Sequence, residues 1–141
     1  MNMINKMKQQ ESQIQKAVIF DSGALISFSM NGITDLIIKL KNGFNGKFLI
    51  TSEVKSEIID VPLKIKNFEL EALKTKQLLD EGILELPSSV GISDSEISKK
   101  TDEILNIANS SFVADKRDIK IMDSGESSCL ALGGILNERK I

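Results

Sequence analysis

The stretch KAVIFDSGALI, residues 16–26, decides the fold class. KAVIF is short, apolar and rich in β-branched side chains, which predicts a buried strand. Asp21-Ser22-Gly23 ends that strand, and ALISFSM (24–30) begins a helix. The same order recurs downstream. GKFLIT (46–51) reads as a second strand, and SEVKSEII (52–59) as a short helix. Val54 and Ile58 share one face of that helix, with Glu53 and Glu57 on the neighbouring one. ILEL (83–86) reads as a third strand, ended by Pro87. Strands alternating with helices predict an α/β fold with a parallel sheet and right-handed crossovers.

The intervening segments predict helices. Asn31-Gly32 is a turn, Thr34 is placed to cap DLIIKL, and Asn42-Gly43 closes that helix. KIKNFELEALKTKQLLDEG (64–82) reads as one long amphipathic helix. Its expected core stripe is Ile65, Phe68, Ala72 and Leu79, and Gly82 is its stop. Within residues 89–112, Ser93 and Glu96 form a capping box, and Ile97, Thr101, Ile104 and Ala108 line one face. VADKRDIKI (113–121) is a polar connection. A last helix opens at Asp123 and runs to about Glu138. Residues 1–15 form a polar tail, and the expected domain spans 16–141.

Composition removes whole classes of chemistry. The chain has 141 residues and no histidine, which eliminates His-based acid–base catalysis, Ser-His triads and most zinc sites. Its single cysteine, Cys129, precludes an internal disulfide, fits a reducing compartment, and lies in an apolar helical pattern that suits a buried filler. Tyr and Trp are absent, which argues against single-strand binding by base stacking. A net charge of -2 advertises no overall basic field. The first residues lack a signal-peptide core and no run reaches transmembrane length, so a cytoplasmic protein without a membrane partner is expected.

Catalysis, if present, rests on carboxylates, lysine, hydroxyls or an oxygen-bound metal. In parallel sheets ligands bind at the carboxyl ends of the strands. Asp21 ends the first strand, Glu57 lies about two helical turns beyond the second, and Asp123 and Glu126 open the last helix. Like charges aimed at one rim repel unless a cation sits between them, and Mg²⁺ or Mn²⁺ suits an all-oxygen set. Such a metal generates hydroxide from water and stabilises charge on a phosphate. Each residue also has a plainer reading. Ser22 is either a hydrogen-bond partner that orients a carboxylate or a helix cap. Glu53 competes with Glu57 at helical spacing. In MDSGESSCLALGG (122–134), Asp123 suits an N-cap and Glu126 falls three residues later, so this pair reads as a capping box as readily as a ligand set. Lysines 64, 66, 74 and 76 form either a solvated helix face or an RNA-backbone contact, and Lys99, Lys100, Lys116, Arg117 and Lys120 are equally open.

Three stretches together resemble the motifs of PIN-domain nucleases. VIFDSGALI resembles the first motif, a strand followed by Asp and then Ser or Thr. LITSEVKSEI resembles the second, with Glu57 at its acidic position, and DSGESSCLALGG the third, with Glu126 matching best and Asp123 second. The resemblance covers roughly residues 16 to 138. It implies a three-layer α/β/α fold and Mg²⁺- or Mn²⁺-dependent endoribonuclease activity. Asp21, Glu57 and Glu126 would then hold the metal and act in catalysis, with Ser22 and Asp123 behind them. It further implies RNA as substrate, and partners of the kinds the family uses: a second copy, an antitoxin, or a ribosomal precursor. The helical stretch at 62–110 is more similar to the archaeal processing branch than to a compact toxin. The family continues past the third motif with a fourth strand bearing another acidic residue. This sequence ends at NERKI, so the resemblance implies a domain incomplete at its C-terminus and lacking that ligand. A non-catalytic PIN-like module that binds RNA or a protein is the alternative expectation.

Overall fold

The computed structural model describes residues 16–111 and 124–141. Among them the fold is α/β, mostly helical, around a small parallel sheet. Strand β1 (Lys16–Ile19) pairs in parallel with β2 (Gly46–Leu49), Val18 opposite Phe48. Helices α1 (Ser22–Met30) and α2 (Thr34–Gly43) form the crossover between them. After β2 come α3 (Ser52–Lys55), a π turn (Ser56–Asp60), a 3₁₀ turn (Pro62–Lys64) and α4 (Glu69–Asp80). Helices α5 (Asp94–Ser111) and α6 (Ser124–Glu138) complete the described elements.

Several expectations change. KAVIF is a sheet edge rather than a buried strand: Val18 is 38% exposed, and β1 has one neighbour among the described residues. ILEL does not form a full strand. It contributes one parallel bridge, Leu49 to Glu85, with Ile50 donating to the Glu85 carbonyl and Glu85 to that of Phe48. Pro87 at the start of a 3₁₀ turn ends the pairing. The helix expected over 64–82 begins only at Glu69. Pro62 sets a separate turn, and Ile65 and Phe68 stand 44% and 56% exposed outside the core. Of the expected stripe, Ala72 is buried and Leu79 packs partly buried against the core, joined by Thr75 and Leu78, and Gly82, at φ +73°, stops the helix as expected. Thr34 does not cap α2; its hydroxyl is buried without a partner among the described residues. The Ser93–Glu96 capping box is reciprocal, each backbone N–H reaching the other's side chain at 3.2 Å. The polar tail and the 113–121 connection lie outside the described residues.

Two apolar clusters flank the sheet. One joins Leu25, Ile37, Phe48, Ile50, Ile59 and Leu84, packing α1, α2 and the π turn on one side. The other joins Leu49, Ile92, Ile97, Leu132 and Ile135, packing α5 and α6 on the opposite side. Alternate β2 side chains serve the two clusters, Phe48 one and Leu49 the other, as the period of a strand requires. Leu132 is fully buried, so its truncation to alanine would cost about 3 kcal/mol. No single helix among the described residues is long and apolar enough to cross a membrane.

Candidate functional site

The carboxyl ends of β1 and β2 meet the first turn of α6. Thr51, just past β2, is fully buried and its Oγ1 accepts the Val54 N–H at 3.2 Å, capping α3. The same hydroxyl lies 2.7 Å from Ser128 Oγ, and Ser128 donates to the Gly125 carbonyl at 2.7 Å. Because the Ser128 proton is committed to Gly125, Thr51 donates to Ser128. One directed chain therefore runs from the Val54 amide through two hydroxyls to the Gly125 carbonyl. It pins the start of α6 against the end of β2.

Three sequence-nominated residues can be located around this junction. Asp21 is the N-cap of α1, its Oδ1 accepting the Ser22 N–H at 2.8 Å. Ser22 Oγ stands 3.5 Å from the same oxygen, so Ser22 steadies the carboxylate through its backbone more than its hydroxyl. Asp21 thus satisfies the cap reading through one oxygen, Oδ1. Glu57 lies in the π turn with its carboxylate against Gly125. A Cβ at position 125 would stand 2.7 Å from Glu57 Oε1 and 3.0 Å from Oε2. Only glycine admits this approach, and the positive end of a 15-residue helix favours the charge there. Glu126 is on the exposed face of the first turn of α6 and has an interaction of its own. Glu53, the competitor to Glu57, is half-buried in α3. Asp123 lies outside the described residues.

Asp21 and Glu57 both act electrostatically on Cys129. Its thiol is pushed up to about 11, chiefly by burial and then by the charge of Asp21, with Glu57 contributing in the same sense. Its Sγ faces the Phe20 carbonyl at 3.9 Å. The thiol remains protonated at neutral pH, which suits filler rather than a nucleophile.

Asp21, Glu57 and Glu126 do not form a three-donor metal group among the described residues. The donor chemistry nonetheless fits a hard cation, because Mg²⁺ is commonly bound through one or two carboxylates with water completing its shell. Asp21 and Glu57 are carboxylates of the kind such a cation takes. Lys64, Lys66, Lys74 and Lys76 are exposed, and Lys76 pairs with Asp80 at 2.6 Å. Lys99 is exposed, while Lys100 bridges to Glu138 at 2.9 Å and joins α5 to α6. Lys116, Arg117 and Lys120 lie outside the described residues.

Sequence reading missed Thr51, Ser128 and Gly125. A threonine directly after a strand and before a helix is the signal for Thr51. Nothing local marks Ser128 or Gly125, whose roles arise from packing against residues far earlier in the chain. No family model matches the sequence, and no characterised protein or solved structure matches the chain.

Proposed function

We propose that this chain is a PIN-like, Mg²⁺- or Mn²⁺-dependent endoribonuclease whose site is built on Asp21 and Glu57, with Glu126 at its rim. The two-stranded parallel sheet would then be part of a three-layer PIN-like arrangement. The observation that supports the reading best is the placement of two carboxylates from separate segments: Asp21 just after β1, and Glu57 with its carboxylate against Gly125 in the first turn of α6, which the Thr51–Ser128 hydrogen bond holds to the end of β2. Asp21 lies at the end of a strand, where parallel sheets carry ligands. Asp21 and Glu57 would hold the ion, which supplies Lewis acidity and activates water toward a phosphodiester. The chain's own contribution is positioning. The α1 cap holds Asp21, and the open Cα face of Gly125 seats Glu57 at a helix N-terminus. The exposed lysines 64, 66 and 74 offer contacts to phosphates.

A non-catalytic module that binds RNA or a protein partner is the second reading. It is favoured by the failure of Asp21, Glu57 and Glu126 to group as three donors among the described residues. Thermal melts with Mn²⁺, Mg²⁺ and EDTA, paired with cleavage of single-stranded RNA, separate the two. A metal-bound native state melts higher by mass action. Stabilisation of the wild type but not of Asp21→Asn, with metal-dependent cleavage, supports the nuclease. Stabilisation without cleavage supports the binding module. An identical Mn²⁺ response in both proteins removes the site from Asp21.

A further inference from the structure

A groove of about 360 Å³ runs between α1, the π turn and α4. Leu25 and Ile58, both buried, form its apolar floor. Its walls are Ile26, Met30 and Phe68, which stay 44%, 74% and 56% exposed. That volume falls within the range of small-molecule sites, about 300–1,000 Å³, which are apolar clefts with few polar groups. The charged groups here share one sign. Glu57 and Glu71 line the groove, and no lysine or arginine among the described residues does. Neither carboxylate makes an ion pair among the described residues. Ser29 also lies on the lining. An anion would meet the like charge of Glu71, and a purely apolar molecule would leave that charge unpaired; the Glu57 carboxylate itself rests against Gly125. An amine or guanidinium on an apolar body satisfies the floor, the walls and the Glu71 charge together.

We propose that this groove binds a small amphipathic cation, its apolar body on Leu25, Ile58 and Phe68 and its charged end at Glu71. The binding requires no metal and does not depend on nuclease activity. It is tested on the full chain in metal-free buffer by amide NMR with three probes of one shape: 4-phenylbutylamine, 4-phenylbutanol and 4-phenylbutyrate. The amine is expected to cause saturable shifts at residues 25–30, 58 and 68–75. Glu71→Gln is expected to weaken it about tenfold, because a charge-assisted hydrogen bond is lost. The alcohol should bind more weakly, and the acid not at all. Three results overturn the proposal: no saturable shift with the amine, equal affinity for amine and alcohol, or an unchanged affinity in Glu71→Gln. Shifts at these residues that grow with protein concentration alone would assign the groove to a second copy of the chain and overturn it as well.

Discussion

Replacing Thr51 by valine keeps the shape of a fully buried side chain and deletes its hydroxyl. Two interactions vanish: the cap on the Val54 amide and the donation to Ser128. Loss of a threonine cap costs about 1 kcal/mol, and loss of a net intramolecular hydrogen bond about 1 kcal/mol more. The variant should therefore be destabilised by about 2 kcal/mol, or about 8 °C in Tm for a domain of this size. Ser128→Ala should cost about 1.5 kcal/mol, because the Thr51 proton is left buried without an acceptor. The double variant, Thr51→Val with Ser128→Ala, is the informative one. Neither replacement side chain carries a polar atom that could be left unpaired, so it should cost about 1 kcal/mol less than the sum of the singles. Urea unfolding followed by far-UV circular dichroism gives the three values; the absence of Trp and Tyr makes intrinsic fluorescence unsuitable. Additivity within about 0.3 kcal/mol would show that the two hydroxyls do not share a hydrogen bond, and the pinning of α6 to β2 would lose its basis.

Gly125→Ala should fold with little change in stability, because the atom its Cβ displaces is the end of the flexible Glu57 side chain. If Glu57 holds a cation, the same substitution abolishes Mn²⁺ stabilisation, and a variant that still responds like wild type refutes that placement. Alkylation of Cys129 by iodoacetamide at pH 8 should run about a hundredfold slower than for an ordinary cysteine, the thiolate being that much scarcer. The rate should keep rising up to about pH 11, Asp21→Asn should quicken it at pH 8, and a plateau near pH 9 would contradict the burial described. The raised thiol also bears on stability: its contribution is full below the unfolded value near 9 and is lost as the pH climbs through about 11. Phe20 donates to the Leu49 carbonyl, so by alternation the amides of Ala17 and Ile19 point away from β2. Hydrogen exchange in a dilute monomer should be fast at residues 17 and 19 and slow at 18 and 20; uniform protection would mean that the β1 edge is covered.

What the sequence disclosed follows from the range of the forces involved. Local signals read well: the Ser93–Glu96 capping box, the Gly82 stop and the position of Asp21 after β1 each depend on residues a few positions apart. The 64–82 segment misled because its apolar residues recur at helical spacing on both sides of a break. Pro62 and a turn at 65–68 leave Ile65 and Phe68 exposed rather than in the core, with Phe68 on the groove wall. ILEL carries the composition of a strand, but only Glu85 finds a partner before Pro87 turns the chain. At the site, the sequence nominated Asp21 and Glu57 by their places after two strands. It carried no sign that Glu57 sits in a π turn or rests on Gly125, since both depend on how two helices meet.

The π turn gives the position of Glu57 a discrete alternative. Val61 donates to the Ser56 carbonyl at 2.9 Å, five residues back, so this turn holds one residue more than the α3 spacing that precedes it. Absorbing that residue into α geometry is a slip of one step, a rotation of about 100° about the helix axis. Such a slip would swing the segment from Glu57 to Asp60 relative to α6, while the chain on either side stayed in place. The carboxylate at Gly125, the apolar floor at Ile58 and the Lys55–Asp60 ion pair would therefore change together or not at all. Deleting a single residue within 56–60 is thus a register change for the whole rim, not a local shortening.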